Sequence, residues 1–207
     1  MTDKRTALVG AGYDAMVETW EAWIGRIEDD PRHDWLEAFM RLVPPGEEVV
    51  ELGCGGGKPE TIELAERYRL TGVDLSEEQL RRAAERVPGA RFTRADLTEV
   101  EFDKGSLGGV ASFYVFNHVP RELLAPLLVR IHGWLRPGGA LLSAFGVGDQ
   151  AEWFGDFLGA PSFFSSYPAQ VNSRLVREAG FAVVQDEVVT IREPEGPVAF
   201  QWILATR

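Results

Sequence analysis

The stretch Val49-Val-Glu-Leu-Gly-Cys-Gly-Gly-Gly57 decides the fold of this protein. A short apolar run passes directly into glycines, which is typical of a buried strand that turns into a helix. Glycines at such a turn allow positive φ angles and let the backbone approach a ligand closely. In an open parallel sheet, ligands bind at the carboxyl ends of the strands. The stretch therefore predicts a ligand site on an open α/β sheet.

The spacing of these glycines argues against two common kinds of ligand-binding loop. A dinucleotide fingerprint would need glycine where Lys58 stands, and a phosphate-binding loop would need serine or threonine where Pro59 stands. The pattern present is Glu51-x-Gly-x-Gly-x-Gly57. An acid beneath the loop suits a cationic group and repels a pyrophosphate, so the spacing disfavours a nicotinamide-dependent dehydrogenase.

Strands and helices alternate beyond the loop, which indicates a parallel sheet with right-handed crossovers. Two β-rich runs close the chain, and the turn Glu193-Pro-Glu-Gly-Pro197 joins them. Because a turn this short cannot make a parallel crossover, the final strand must run antiparallel. We predict strands at 49–52, 70–75, 90–95, 109–115, 140–145, 182–192 and 198–206, and helices at 59–68, 77–86, 120–135 and 169–179. The predicted fold is a Rossmann-like, seven-stranded, mostly parallel sheet with helices on both faces and an antiparallel C-terminal hairpin strand.

The first 43 residues carry two apolar stripes at helical spacing, one from Tyr13 to Ile27 and one from Trp35 to Val43. Pro44-Pro45-Gly46 then breaks the pattern. We therefore expect a single domain over residues 1–207, with an N-terminal cap of two helices at 1–43.

Composition excludes several classes of function. The chain has 207 residues, a formal net charge of −11 and one cysteine. The charge opposes nucleic-acid binding and an anionic membrane surface. The single cysteine allows no intramolecular disulfide, and three scattered histidines predict no metal site. With no apolar run of membrane-spanning length and no signal-peptide pattern at the start, we expect a soluble, cytoplasmic protein.

Polar residues follow the predicted strands at the same edge of the sheet. Asp74 ends the second strand, where a carboxylate accepts hydrogen bonds from the hydroxyls of a ribose. Asp96 ends the third strand and can accept a hydrogen bond from an exocyclic amine while Leu97 packs against a ring. The fourth strand ends at Asn117 and His118. Taken together, these residues indicate a ligand site far more specifically than any one of them does alone.

On these residues the sequence resembles the class I S-adenosylmethionine-dependent methyltransferases. The motifs that carry the resemblance are the glycine stretch, Gly72-Val-Asp-Leu-Ser76, Arg94-Ala-Asp-Leu97 and Leu135-Arg-Pro-Gly-Gly-Ala-Leu-Leu142, together with the C-terminal hairpin. The resemblance implies S-adenosylmethionine as cofactor and S-adenosylhomocysteine as product. It implies that the cofactor is contacted by Tyr13, Glu51, Gly53, Cys54, Gly55, Gly57, Asp74, Leu75, Asp96, Leu97 and Asn117.

Two positions near the predicted site, His118 and Cys54, carry alternative interpretations. His118 is the candidate general base, since an imidazole suits removal of a proton as the methyl group arrives. The alternative is that His118 orients the substrate or only packs at the end of the strand. Cys54 lies inside the loop, and we interpret it as a small buried hydrophobe rather than a nucleophile.

An aromatic-rich segment at 149–168 lies between the fifth strand and the next helix. These aromatics either close the core or form the lid of an apolar substrate pocket. An aromatic wall also favours a sulfonium cation electrostatically. The candidate substrate-binding residues are Trp20, Trp153, Phe163 and Phe164.

The resulting hypothesis is methyl transfer to an oxygen, nitrogen or carbon of a small, partly apolar metabolite, as in natural-product tailoring. The alternatives are a cofactor-binding module without transfer activity, a methyltransferase acting on a peptide or protein terminus, and, opposed by the charge, a nucleic-acid methyltransferase. The sequence does not distinguish a monomer from a homodimer.

Overall fold

The computed structural model describes residues 3–207, and seven of their nine strands form one sheet. The strands are β1 (Glu48–Leu52), β2 (Arg69–Asp74), β3 (Arg91–Arg94), β4 (Leu107–Ser112), β5 (Leu135–Gly146), β6 (Gln150–Phe157), β7 (Ala160–Ser166), β8 (Ala182–Glu193) and β9 (Gly196–Thr206). The sheet order is β3-β2-β1-β4-β5-β9-β8, and β6 and β7 form a separate hairpin. Strands β1 to β5 pair in parallel, and β9 is antiparallel to both β5 and β8. The predicted fold class is confirmed.

Seven helices accompany the strands in this part of the chain: α1 (Lys4–Ala15), α2 (Val17–Ile24), α3 (Arg32–Leu42), α4 (Pro59–Arg67), α5 (Glu77–Arg86), α6 (Arg121–Trp134) and α7 (Ala169–Glu178). Strand residues alternate between two buried clusters, because successive side chains point to opposite faces of a sheet. Val50 and Leu52 pack with α6 and α7, whereas Val49 packs with α3 and α4. Both faces of the central strands β1, β4 and β5 are therefore buried, as expected for parallel strands, whereas the outer strands β3 and β8 are largely exposed or half-buried.

The N-terminal cap differs from the prediction of two helices. The stripe from Tyr13 to Ile27 is divided at Met16, where φ is −107°, and α2 ends at Ile24. The physical reason lies in tertiary packing. Helix α1 lies so close to β7 that a Cβ atom on Gly12 would come within 2.7 Å of the Pro161 carbonyl oxygen. The break then turns Val17 and Trp23 of α2 into the core.

Two further segments differ in extent. Strand β5 begins at Leu135 rather than at residue 140, because Leu135 already pairs with Leu107 of β4. The aromatic segment forms an antiparallel hairpin with a register shift between Gln150 and Trp153, and Leu158 and Gly159, both with positive φ, make its turn.

Candidate cofactor and acceptor site

A cavity of about 100 Å³ lies at the carboxyl ends of β1, β2 and β3, and we call it the first cavity. The glycine loop after β1 forms one wall. Helix α1 closes the opposite side with Thr6, Gly10 and Tyr13. The first cavity therefore lies at the switch point of the sheet, the position where the sequence predicts a ligand.

The loop between β1 and α4 requires glycine at two positions that line the first cavity. Gly53 and Gly55 have φ angles of 73° and 54°. A Cβ atom on Gly53 would also lie 2.6 Å from a methyl carbon of Val115. Gly57 does not line the cavity, because it faces α5, where a Cβ atom would lie 2.9 Å from Cα of Ala83. Its contribution is the packing of loop against helix.

Asp74 joins the loop to the start of α5. Its two carboxylate oxygens accept hydrogen bonds from the backbone N–H groups of Gly55 and Ser76, each at 2.9 Å. Burial raises the pKa of the Asp74 carboxyl, and the two backbone donors counteract that effect. The Ser76 side chain caps α5 by accepting from the Gln79 N–H, as its sequence pattern predicts.

Glu51 lies at the floor of the first cavity and is only 2% exposed. Its Oε2 atom is buried without a hydrogen-bond partner in the described part of the chain. Burial is the main cause that raises the pKa of this carboxyl well above its usual range, and the nearby charge of Glu60 adds to it. A buried acceptor without a donor costs about 1–3 kcal/mol. The position therefore suits a ligand that brings a cationic donor.

Two cations line the same cavity. Lys58 follows the glycine loop, and burial lowers the pKa of its ammonium group. Arg32, from α3, is held by the carboxylates of Asp30 and Glu60. Together with Glu51, these side chains place both signs of charge at one end of the first cavity. This distribution suits a zwitterionic ligand.

Asp96 lies at the other end of the first cavity and is 6% exposed. The Thr6 hydroxyl donates to one carboxylate oxygen at 2.6 Å, and the backbone N–H and hydroxyl of Thr98 donate to the other. Leu97 beside it is buried and also lines the cavity. An apolar side chain next to an oriented carboxylate suits a heterocycle that carries an amino group.

His118 connects three segments. Its Nδ1 atom lies 2.8 Å from the Phe163 carbonyl oxygen, and its Nε2 atom lies 3.0 Å from the Tyr13 hydroxyl. Since a carbonyl only accepts, we assign the hydrogen to Nδ1, and Nε2 accepts from Tyr13. Burial lowers the pKa of His118 to about 4 and raises the pKa of Tyr13. Both groups are therefore neutral at pH 7.

A second cavity, of about 340 Å³, adjoins the first at Tyr13, Trp20 and His118, which line both. Trp20 and Trp23 stack with ring centroids 5.3 Å apart. Aromatic rings dominate its wall: Tyr13, Trp20, Trp23, Tyr114, Phe157, Phe164 and Phe200. Its polar side chains are those of Asn117, His118, Ser165, Ser166 and Glu193. Its aromatic wall and its position beside the first cavity suit a largely apolar molecule.

The structure brings most of the predicted site residues together. The first cavity is lined by Tyr13, Trp20, Glu51, Gly53, Cys54, Gly55, Asp74, Leu75, Asp96, Leu97 and His118. Asn117, predicted at the cofactor, lines the second cavity instead, together with Phe164. Burial raises the pKa of the Cys54 thiol, which opposes a nucleophilic role.

The aromatic hairpin divides its side chains between its two faces. Phe163 is fully buried, and its carbonyl oxygen holds His118. Trp153 is 38% exposed and lines neither cavity. The sequence does not show which face of the hairpin each side chain occupies until the register of the two strands is known.

Sequence reasoning missed Thr6, Arg32, Lys58 and Glu193. Lys58 had a signal, because it directly follows the glycine loop. Thr6, Arg32 and Glu193 had none, since they reach the cavities from α1, α3 and the C-terminal hairpin.

Within residues 3–207, no three His, Cys, Asp or Glu side chains cluster in a way that could hold a metal ion. The same residues contain no helix that is both long enough and apolar enough to cross a membrane.

The fold and the first cavity define a Rossmann-like protein with a cavity at the switch point of its sheet. A family model described as "Methyltransferase domain" matches residues 49–139. The 27-O-demethylrifamycin SV methyltransferase of Amycolatopsis mediterranei is 29% identical over 89% of this chain and 70% of its own length. The 2-methyl-6-phytyl-1,4-hydroquinone methyltransferase of Synechocystis is 33% identical over 51% of this chain. That match covers only 34% of the Synechocystis protein.

A crystal structure of a methyltransferase from Methanosarcina mazei shares the fold, with a TM-score of 0.71, 16% identity and coverage of 82% of this chain and 96% of that one. Residues 49–139 therefore carry a methyltransferase domain, on a fold shared with S-adenosylmethionine-dependent methyltransferases. The predicted family is confirmed, and the predicted enzyme class and cofactor are those of the family.

Proposed function

We propose that the protein binds S-adenosylmethionine in the first cavity and transfers its methyl group to a small molecule in the second cavity. The observation that carries the proposal is the unpartnered Oε2 atom of Glu51, buried beside the glycine loop. A methionine ammonium group supplies the donor that this carboxylate lacks. Lys58 and Arg32 line the same cavity and complement the methionine carboxylate.

The other end of the first cavity fits the nucleoside. Asp74 is the acceptor for the ribose hydroxyls, with its carboxylate oriented by the N–H groups of Gly55 and Ser76. Leu75 and Leu97 pack against the adenine, and Asp96 faces its amino group from a position held by Thr6 and Thr98. These assignments use the lining residues of one continuous cavity.

Bound S-adenosylmethionine supplies an electrophilic methyl group on a sulfonium centre. The residues of the chain supply position, which can contribute about 7–11 kcal/mol of the barrier. Tyr13 and His118 lie where the two cavities meet, and both are neutral. With a pKa of about 4 and with Nε2 already accepting from Tyr13, His118 is a positioning residue in this proposal rather than a general base.

The aromatic wall of the second cavity supports a partly apolar acceptor. Two relatives are named as a hydroquinone methyltransferase and a rifamycin methyltransferase, which supports a small molecule as acceptor. Natural-product tailoring by this domain remains the interpretation we favour. The 1–43 cap closes the first cavity in this proposal, and the 149–168 hairpin forms a wall of the second.

Thermal unfolding with S-adenosylhomocysteine tests the cofactor assignment, with NADH as the control ligand. At 100 times its dissociation constant a ligand adds about 2.7 kcal/mol to the free energy of unfolding. We expect a higher Tm with S-adenosylhomocysteine alone. Glu51→Gln should reduce that rise, while Glu178→Gln, at an exposed carboxylate on α7, should leave it unchanged. No rise at saturating ligand would contradict the proposal.

Transfer itself is tested by mass spectrometry of hydroquinones and phenols incubated with the protein and S-adenosylmethionine. Formation of S-adenosylhomocysteine together with a methylated product supports the enzyme. Cofactor binding without transfer to any of a broad panel of acceptors would favour the alternative of a binding module.

A further inference from the structure

In the described part of the chain, the ionisable side chains that line the second cavity include a carboxyl group but no cationic group. None of the described residues that line it is lysine or arginine, while Glu193 contributes a carboxyl group. An anionic acceptor would find no cation there to replace its water. Over residues 3–207, the lining of the second cavity therefore carries a potential negative charge and no side-chain cation.

Glu193 stands at the end of β8, where the C-terminal hairpin begins its turn. Its side chain is half-buried, and it makes no hydrogen bond or ion pair with another residue between positions 3 and 207. Burial and the neighbouring charge of Glu195 raise the pKa of Glu193 to about 7. Withdrawing a carboxylate from water without a partner costs free energy. A cationic ligand would offset that cost.

Glu193 also lies within electrostatic reach of the point where the two cavities meet. Its charge is one of the causes that raise the pKa of Tyr13, whose hydroxyl contacts His118. The second carboxylate of the turn, Glu195, is fixed by the Trp23 Nε1–H group at 2.8 Å. Of the two carboxyl groups at this turn, that of Glu193 lines the second cavity, while that of Glu195 is bound to Trp23.

The remaining wall is aromatic. Trp20 and Trp23 stack, and Phe157 packs its ring against both, at centroid distances of 6.2 and 5.7 Å. Phe164 contacts Phe157 and lies 4.5 Å from the His118 ring centroid. Aromatic faces attract organic cations electrostatically. Aromatic faces and a carboxylate together are the chemistry that recognises an ammonium group on an apolar skeleton.

Building on the function proposed above, we propose that the methyl acceptor carries a basic amine on an aromatic or otherwise apolar skeleton, and that Glu193 selects it by pairing with the ammonium group. Glu193 is then a specificity-determining residue of the second cavity. The amine is a recognition group, and the proposal does not require it to be the methylated atom.

Three naphthalene probes of similar size test this inference: 2-(1-naphthyl)ethylamine, 2-(1-naphthyl)ethanol and 3-(1-naphthyl)propanoate. Their affinities are measured calorimetrically at about pH 8.5, where the amine is charged and Glu193 is ionised. We expect the amine to bind about tenfold more tightly than the alcohol, or better, and the propanoate to bind more weakly than both.

Variants of Glu193 test whether this residue causes the expected preference for the amine. Glu193→Gln should bring the affinities for amine and alcohol to within a factor of about two, and Glu193→Lys should favour the propanoate. Glu187→Gln is the matched control, because Glu187 lies exposed on the same strand and outside the cavity lining. Propanoate binding as tight as that of the amine, an amine preference that survives Glu193→Gln, or no binding of any probe would overturn the proposal.

Each titration is run with and without saturating S-adenosylhomocysteine, and the binding of that ligand is measured in the same samples. Failure of S-adenosylhomocysteine to bind would contradict the proposed function, whereas the probes alone decide the charge preference of the second cavity. Normal S-adenosylhomocysteine binding without an amine preference would contradict only the inference about Glu193.

Discussion

The hydroxyl oxygen of Tyr13 lies 3.0 Å from Nε2 of His118, and this contact joins the N-terminal cap to the turn that follows β4. The other ring nitrogen of His118 holds the Phe163 carbonyl of the aromatic hairpin. One neutral imidazole therefore links cap, sheet and hairpin at the place where the two cavities meet.

The buried imidazole predicts an acid-dependent loss of stability. Its pKa is about 4 in the folded protein against 6.5 for an ordinary histidine, so the unfolded chain binds the additional proton between these values. Stability therefore falls as the pH is lowered from about 6.5 to about 4 and is constant above 6.5 with respect to this group. We expect the free energy of unfolding of the wild type to fall by up to about 3 kcal/mol relative to that of His118→Gln as the pH is lowered over this range. Urea unfolding at a series of pH values measures this difference.

Glu193 provides the control of opposite sign. Its pKa is raised from 4.5 to about 7, so its contribution to stability is lost as the pH rises through that range. The difference between wild type and Glu193→Gln should therefore change in the opposite direction to the His118 difference. A His118 difference that does not vary with pH would show that the imidazole is not buried in its neutral form.

A comparison of two substitutions distinguishes positioning by His118 from base catalysis. The amide of His118→Gln can donate to the Phe163 carbonyl and accept from Tyr13, whereas His118→Ala loses both hydrogen bonds. We expect the Gln variant to keep kcat within about tenfold of wild type and the Ala variant to fall further, with little change in cofactor affinity. Loss of a general base costs about 10²–10⁴ in rate, so equally large losses in both variants would restore the base role.

Asp74 is expected to contribute to cofactor affinity both directly and through the loop. Asp74→Ala removes an acceptor for the ribose and frees the Gly55 N–H group. Hydrogen bonds to charged groups contribute about 1.5–3 kcal/mol, so the Kd for S-adenosylhomocysteine should rise about 10- to 100-fold. Glu85→Ala, at an exposed position of α5, is the control for calorimetric titration. Unchanged affinity in Asp74→Ala would exclude its assignment to the ribose.

Cofactor binding should release a proton from Glu51. The pKa of this carboxyl is raised well above its usual range, mainly by burial, and an ammonium group at Oε2 would lower it. The affinity for the cofactor should therefore increase as the pH rises towards the pKa that the Glu51 carboxyl has in the unliganded protein. Calorimetry in buffers of different ionisation enthalpy measures the release, which should vanish in Glu51→Gln. Proton uptake in wild type would contradict the assignment.

Two glycines in helices are expected to respond in opposite ways to alanine. Gly12→Ala would place a Cβ atom 2.7 Å from the Pro161 carbonyl oxygen and separate α1 from the hairpin. Gly133, inside α6, has no neighbour within 4 Å of such an atom. Alanine at 133 should raise the free energy of unfolding by up to about 1 kcal/mol through helix propensity, while alanine at 12 should lower it. Urea unfolding of the two variants decides the point, and stabilisation by Gly12→Ala would show that the packing is looser than described.

The residues predicted correctly for location are those that end strands. Glu51 and Asp74 lie at the carboxyl ends of β1 and β2, and Asp96 follows β3, so the strand order of a parallel sheet alone places them at one edge. Asn117 was predicted at the cofactor but lies in the second cavity, because the turn over Phe116–His118 directs adjacent side chains apart. Gly57 was likewise predicted to contact the cofactor, but it packs against α5 and does not line the first cavity.

The sequence by itself determined the sheet, its antiparallel last strand and the glycine loop with its acids, since these depend on local periodicity and on the short reach of a turn. Tertiary structure alone decided the break at Met16, the pairing of Tyr13 with His118 and the entry of Glu193 into the second cavity. Those features join segments far apart in the chain. Their geometry depends on how helices and hairpins pack on the sheet, and no local pattern encodes it.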